Sequence, residues 1–341
     1  MFRKKNVLVV GCNGMLGSHV LKRFVENAKW RISSFNIVSS VDMNELDISD
    51  ELKVKEFFSA HDDFKIKYDV VINCAAITDT TACEKEKADL SYKVNALGPL
   101  FLAKECSKRN IHLVHVSTDY VFSEHSFDVN GSHEFPVNMY GMHKLIGEKN
   151  IECAYGKNKN WTILRTSWLY GPNFPKTFIH KFLKNCKKAV DDNTFAVNVT
   201  DDNFGKPTSC QMLCQFIYVS IIKKLHGKMD AQYLGDVMSR AEFANEILKA
   251  CSTVDEFSFL KNVKINKIKS SVLSLPIRHP TTLICSTKTN VTDVPLCETC
   301  PTIGIDKYVE FFSSIDKSYA LKELCSFIKS ESTFIKDWLC K

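Results

Sequence analysis

The sequence predicts an α/β protein built on a Rossmann-type doubly wound parallel sheet, and three observations predict it. Short runs too apolar to have a wet face alternate with longer helical patterns, which is the rhythm of βαβ units. The first of these runs opens directly into a glycine-rich loop and then a helix. The chain has 341 residues, 45% of them hydrophobic, enough to bury the core of one large or two modest domains.

The elements follow in order. Residues 6–10, "NVLVV", form a β-branched run, and "GCNGMLGSHVLKRFVENA" continues as loop and amphipathic helix. "ISSFNIV" reads as the second strand and leads to "SSVDMNELDISD". "ELKVKEFFSAH" reads as a helix and "YDVVINCAA" as a buried strand. One long helical pattern, "DLSYKVNALGPLFLAKECSKRN", precedes the buried strand "IHLVHVST". Residues 140–154 are helical, and "WTILRTSWLYG" is a strand again. After Pro172 the rhythm loosens, and 252–302, rich in Ser, Thr, Pro and Asn, has weak periodicity. The organisation expected is a Rossmann domain over 1–172, a second region over 173–312 with some chain returning to the sheet, and a helical tail over 313–341.

Composition excludes several classes. A net charge of +6 comes from lysines spread along the chain, in pairs such as Lys187-Lys188, which reads as solvated helix faces and not a nucleic-acid surface. Fourteen Cys without regular spacing indicate thiols in a reducing compartment, the cytoplasm, rather than a disulfide scaffold. "CETC" at 297–300 has no second pair or His at zinc spacing, so no metal is expected. "MFRKKNVLVVGCNG" imitates a signal peptide, but its apolar run is too short and a first strand explains it better. No stretch approaches a membrane span.

Gly11, Gly14 and Gly17 make G-x-x-G-x-x-G between a strand and a helix. Small residues there let the backbone approach a pyrophosphate at a helix N-terminus, the geometry of dinucleotide binding. Asp42, after the second strand, is the candidate partner for the adenosine ribose, and Asp47 either contacts adenine or caps the helix starting near Asp50. No Arg or Lys closely follows that strand to meet a 2′-phosphate, so NADH and NADPH both stay open as the cofactor. Tyr140 and Lys144 stand one helical turn apart, a spacing that suits a proton donor with a cationic neighbour. A second pair with the same spacing, Tyr155 and Lys159, sits near a polar turn and reads as surface.

"GCNGMLG", "ELDISD", "DVVINCAA", "VNALGP", "LVHVSTDYVF", "MYGMHKLIGE", "LRTSWLYG" and "DDNFGKPTS" occur in the order found in extended short-chain dehydrogenase/reductases. In detail the chain resembles the dTDP-4-dehydrorhamnose reductase family, strongly from about residue 5 to 210 and more thinly to 310, where "SRAEFANEILKA" and "LPIRHP" are similar to family segments. The resemblance implies that Tyr140, Lys144 and Thr118 are catalytic, and that Thr118, Asp119 and Trp168 meet the substrate, a nucleotide sugar. It places Gly11, Gly14, Leu16, Gly17, Asp42, Asp47, Ile48, Ala76, Ile77, Thr78, Tyr140 and Lys144 at the cofactor. Departures occur at Thr80 and Thr81, where the family usually has Val-Asp, and at Asn203, where Gln is common. Glu84 matches an acid sometimes associated with a metal, but in "CEKEKADL" it reads as solvated.

The resemblance implies reduction of the 4-keto group of a dTDP- or UDP-linked 6-deoxy sugar. The alternative is a non-catalytic NADP-binding regulatory subunit, because the beta subunit of methionine adenosyltransferase is similar to the same family and keeps the Tyr/Lys pair. Thr118 and the "RTSW" strand favour the reductase. The tail, with Leu321, Leu324, Ile328, Ile335, Trp338 and Leu339, reads as a helix packed on its own domain or as a contact surface for a second subunit or partner protein.

Overall fold

The computed structural model describes residues 4–26, 35–123, 127–128, 131–132, 134–172, 174–234, 236–272 and 315–340. The elements used below are β1 (Lys5–Val10), α1 (Met15–Glu26), β2 (Phe35–Val41), α2 (Glu51–Asp63), β3 (Val70–Asn73), α3 (Gly98–Lys108), β4 (His112–Thr118), α4 (Met139–Tyr155) and β5 (Trp161–Thr166). They continue with α5 (Phe178–Asp191), α6 (Cys210–Lys223), β6 (Gly227–Asp230), α7 (Arg240–Cys251), α8 (Lys317–Ser330) and α9 (Ser332–Leu339).

The six strands form one sheet in the order β6-β5-β4-β3-β1-β2, with every neighbouring pair parallel. This is the doubly wound sheet that the alternation predicts. The chain moves outward from β1 to β2, then crosses back to β3 on the other side, so the switch point lies between β1 and β3. Alternate residues along each strand feed two cores. Val7, Val9, Val70, Ile72, Val114 and Leu164 join side chains of α1, α5 and α6, whereas Leu8, Val10, Val71, Leu113 and Ile163 join side chains of α2, α3 and α4. Both faces are therefore dry, which is why the strands carry no polar alternation.

Local chemistry breaks two expected elements, and the packing corrects the reading of one residue. The long helical pattern over 89–110 divides into a short α segment (Ala88–Ser91), a π turn (Tyr92–Leu97) and α3. Pro99 has no N–H for the Asn95 carbonyl four residues back, so the α ladder cannot run through. Asn150 of α4 donates to the nearby Ala96 carbonyl at 2.9 Å. The strand expected over 161–171 ends at Thr166 and resumes as Leu169–Tyr170, because Trp168 between them is left-handed with φ +44°. Tyr155 corrects the surface reading: it is 4% exposed and its hydroxyl donates to the Ile111 carbonyl at 2.7 Å. As the last residue of α4 it turns its ring inward, and only Lys159 stays exposed.

Beyond residue 172, β6 returns to the main sheet beside β5. Lys264–Ile268 pairs in parallel with Ala196–Thr200. "LPIRHP" and "CETC" lie outside the described residues. No helix among the described residues is long and apolar enough to cross a membrane.

The tail seats on its own domain. Ala320, Leu324, Phe327, Ile328, Ile335 and Leu339 are buried in the core shared with α5, α6 and α7. Glu323 accepts from Ser209 and Gln211, and Tyr319 bonds Gln215. Trp338 packs edge-on against His180 at 5.5 Å. Each large apolar side chain contributes ~1.5–3 kcal/mol by burial. Truncation after Ser314 is therefore expected to lower the melting temperature by at least ~10 °C or to leave the chain insoluble, as read by thermal unfolding.

Candidate active site

The ends of β1, β2, β3 and β4 and the start of α4 build the site. Gly11 turns the chain after β1 with φ +78°, and a β-carbon there would come 2.7 Å from the Ala75 nitrogen after β3. A β-carbon on Gly17, in the first turn of α1, would overlap the Gly11 carbonyl oxygen. Gly14 has more room, with a β-carbon 3.3 Å from that oxygen. Gly11 and Gly17 thus fix the turn and the helix–strand packing, while Gly14 keeps the loop surface bare. The first N–H groups of α1 lack partners within the helix, so the cradle suits a pyrophosphate.

The other expected cofactor residues surround this loop. Asn13 donates to the Asp42 carboxylate, tying the glycine loop to the end of β2, and the Asn44 N–H reaches the same carboxylate at 2.9 Å. Asp47 accepts from the Ser49 N–H and hydroxyl at 3.0 and 2.6 Å, which together hold its carboxyl below the usual range. The cap of α2 is Asp50, which accepts from Leu52 and Lys53. Leu16 and Ile48 bury their side chains, leaving their main chains for a ligand. Ala76, Ile77 and Thr78 form the loop after β3, the first two half-buried and Thr78 exposed. Asn95, in the π turn, clamps it by accepting from the Ile77 N–H at 3.0 Å and donating to the Ile77 carbonyl at 2.8 Å.

Tyr140 lies in the first turn of α4, whose start is held from two sides. Asn138 accepts from the Gly141 N–H at 2.8 Å, and Glu84 accepts from the Met139 N–H at 2.6 Å. Glu84 is exposed, as its charged surroundings predict, and it also caps the helix that carries Tyr140. Thr118, at the end of β4, sits beside the Tyr140 phenol, where its hydroxyl favours the ionised form. Its hydroxyl also lies 3.1 Å from Asp119 Oδ1 and accepts from the Tyr120 N–H. Burial pushes the phenol well above its ordinary value, against the Thr118 hydroxyl, and the nearby Asp119 charge adds to the rise. Lys144 does not make the phenol acidic here, because its amine turns to the sheet. Nζ donates to the Val116 carbonyl at 2.7 Å and lies 3.0 Å from His115 Nε2. Lys144 is 1% exposed, and burial pulls it down to about 8 against the charge of Glu148.

On the outer side, burial raises Asp119 to about 6, opposed by hydrogen bonds from Ser167 and Thr118 and by the charge of Arg240. The Arg240 guanidinium lies 3.5 Å from the centre of the Trp168 ring. On the indole's other side Gly205 leaves no room for a β-carbon. Sequence reasoning missed Asn73, Asn95, His115, Gly205 and Arg240. The available signal was Asn73 and His115 as polar residues inside strands otherwise apolar enough to be dry.

A six-stranded parallel sheet with a glycine loop at its switch point, and Thr118, Tyr140 and Lys144 at its strand ends, defines a protein of the extended short-chain dehydrogenase/reductase class. The chain belongs to the RmlD substrate binding domain family, which it matches over residues 5–296. It is 27% identical over 258 residues to dTDP-4-dehydrorhamnose reductase of Mycobacterium tuberculosis, covering 73% of this chain and 76% of that one. It is 32% identical over 222 residues to dTDP-4-keto-6-deoxy-D-glucose reductase of Streptomyces niveus, covering 64% and 69%. A solved dTDP-4-dehydrorhamnose reductase from Clostridium acetobutylicum superposes with a TM-score of 0.67 at 29% identity, covering 81% of this chain and 88% of that one. The Bacillus anthracis reductase in complex with NADP has the same fold, with a TM-score of 0.69 at 24% identity, covering 91% and 98%.

The three glycines should separate in mutation. Gly14→Val is expected to keep the wild-type melting temperature while abolishing NAD(H) and NADP(H) binding in calorimetry. Gly17→Val is expected to unfold or strongly destabilise the chain, because its side chain meets backbone that cannot move aside.

Proposed function

We propose that the protein catalyses NAD(P)H-dependent reduction of the 4-keto group of a nucleotide-linked 6-deoxy sugar, dTDP- or UDP-4-dehydrorhamnose, giving the rhamnose nucleotide. The observation that carries this reading is the placing of the Thr118 hydroxyl beside the Tyr140 phenol and of buried Lys144 one turn further along α4, at the strand ends next to the glycine loop. The glycine cradle fits the dinucleotide, with Asp42 for the adenosine ribose, the Ala76–Thr78 loop along the cofactor and Lys144 for the nicotinamide ribose. When bound, the reduced nicotinamide supplies the hydride to the ketone carbon.

The chain supplies the proton and the geometry. Tyr140 delivers its phenolic proton to the developing alkoxide, and the raised phenol pKa keeps that proton in place until it is needed. Thr118 donates to the same oxygen, acting where charge develops. Asp119 and Trp168 orient the sugar. The RmlD-type relatives support the substrate class, and the presence of Thr118 beside the Tyr140 phenol weighs against the regulatory-subunit reading.

The direct test incubates the pure protein with NADH or NADPH and dTDP- or UDP-4-keto-6-deoxy sugar, with product identified by mass spectrometry and sugar analysis. Formation of the rhamnose nucleotide is expected. Cofactor binding without turnover on either nucleotide would leave the regulatory reading in its place.

Tyr140→Phe should lower turnover by roughly 10²-fold with cofactor affinity unchanged, the scale of a lost general acid. Tyr155→Phe should leave turnover unchanged and cost ~1–2 kcal/mol of stability, since it strips the Ile111 carbonyl of its buried donor. Calorimetry should place the NADPH and NADH dissociation constants within about tenfold of each other, because the Asp42 carboxylate repels a 2′-phosphate. A larger preference for NADPH would move Asp42 away from the ribose.

A further inference from the structure

Beneath Lys144 runs a short chain of hydrogen bonds whose direction is set at one end. Asn73 closes β3 and is the register partner of His115 on β4, and both side chains are essentially inaccessible. Asn73 Oδ1 accepts from the Ala75 N–H at 3.1 Å, which orients the amide. Asn73 Nδ2 then lies 3.1 Å from His115 Nδ1. An amide nitrogen only donates, so Nδ1 must accept. A neutral imidazole carries one proton, so that proton sits on Nε2, the atom 3.0 Å from Lys144 Nζ. The doubly protonated ring is disfavoured, since burial pushes His115 well below its ordinary value and Lys144 pushes it further.

An ammonium has three donors and no lone pair, whereas a neutral amine can accept from the Nε2–H while donating to the Val116 carbonyl. With an ammonium instead, the His115 Nδ1–H would face the Asn73 amide nitrogen. Turning the amide over only moves the conflict to the Ala75 N–H. Either arrangement leaves two donors opposed in a buried site.

We propose that Asn73 and His115 are positioning residues that hold Lys144 as the neutral amine in the cofactor-free protein. The other titratable groups acting on Lys144 are Glu148 on its own helix and Cys74 after β3. Glu148 favours the ammonium, while Cys74 stays a neutral thiol because burial pushes it up to about 12. The donor conflict burdens the ammonium alone, so it adds to the effect of burial on Lys144. Under the reductase reading, Lys144 acquires its proton as the nicotinamide ribose hydroxyls arrive to accept from it. Only this consequence rests on that reading; the protonation state does not.

The test is NMR on the cofactor-free full-length protein, labelled with ¹⁵N-histidine and ¹³C-lysine, with Lys144 assigned through a Lys144→Arg variant. His115 is expected to show an unprotonated Nδ1 and a protonated Nε2, and the Lys144 Cε resonance to report the neutral amine at pH 7, with its midpoint clearly below the value of about 8 that burial against the charge of Glu148 gives. His115→Gln, whose amide can turn its oxygen to Nζ, should raise the Lys144 proton affinity at least tenfold. If that variant fails to fold, Asn73→Asp serves. Its carboxylate accepts from both Ala75 and Nδ1–H, and should move the ring proton to Nδ1 and raise Lys144. A wild-type ring protonated at Nδ1, or a Lys144 midpoint unmoved in a folded variant, would overturn the proposal. Neither readout involves substrate or turnover, so an inactive protein with the expected spectra would refute the reductase alone.

Discussion

Helix α4 lies so close to the strand ends that two of its residues have no room for a β-carbon. One placed on Gly141 would overlap the Tyr120 carbonyl, and one on Gly147 would overlap the Asn95 carbonyl. The rest of the site depends on this seating. It brings the Lys144 side chain under the helix against β4, sets Tyr140 beside Thr118, and packs α4 on the π turn that holds the loop after β3. A bulkier contact would lift the helix and expose a polar cluster arranged to work without water.

Such burial is costly unless every polar group finds a partner. α4 is anchored accordingly. Its start is capped by Asn138 and Glu84, and further along Glu148 forms an ion pair with Arg165 of β5 at 2.6 Å. Arg165 also reaches Glu134 at 2.7 Å and lies 4.7 Å over the Phe122 ring. Paired and hydrogen-bonded charges of this kind hold geometry more than they add stability. They fix the helix to the strand that leads into Trp168.

The substrate side depends on the second region. Trp168 keeps a left-handed backbone that a non-glycine residue adopts at a cost, and its indole is held among Gly205, Arg240 and Phe243. Gly205 comes from the segment before α6, Arg240 starts α7, and Phe243 of α7 packs at 6.0 Å from the ring. The tail supports this wall from behind, through Phe327 at 5.2 Å from Tyr170 and Glu323 on Ser209 and Gln211. The C-terminal helices therefore stabilise the wall around Trp168.

The sheet, its alternation with helices and the glycine loop were legible because each is encoded locally: strands buried on both faces need continuous apolar runs, and a backbone that must approach a ligand needs glycine. Helical spacing puts Tyr140 and Lys144 one turn apart, but Tyr155 and Lys159 share that spacing, and only the resemblance to the reductase family singled out the first pair. What only the tertiary structure decided is what those side chains meet. Tyr155 looked exposed from its polar neighbours, yet the end of α4 turns it onto Ile111. Glu84 is solvated as its neighbours suggest, but that it also caps a helix 55 residues away shows only in the structure. Asn73 and His115 are 42 residues apart and become partners only through the register of β3 and β4. Sequence fixes periodicity and local propensity within a few turns of chain, but the proton on His115, the direction of the Lys144 amine and the trapping of Trp168 come from contacts between distant segments, which exist only once the sheet and its covering helices have closed.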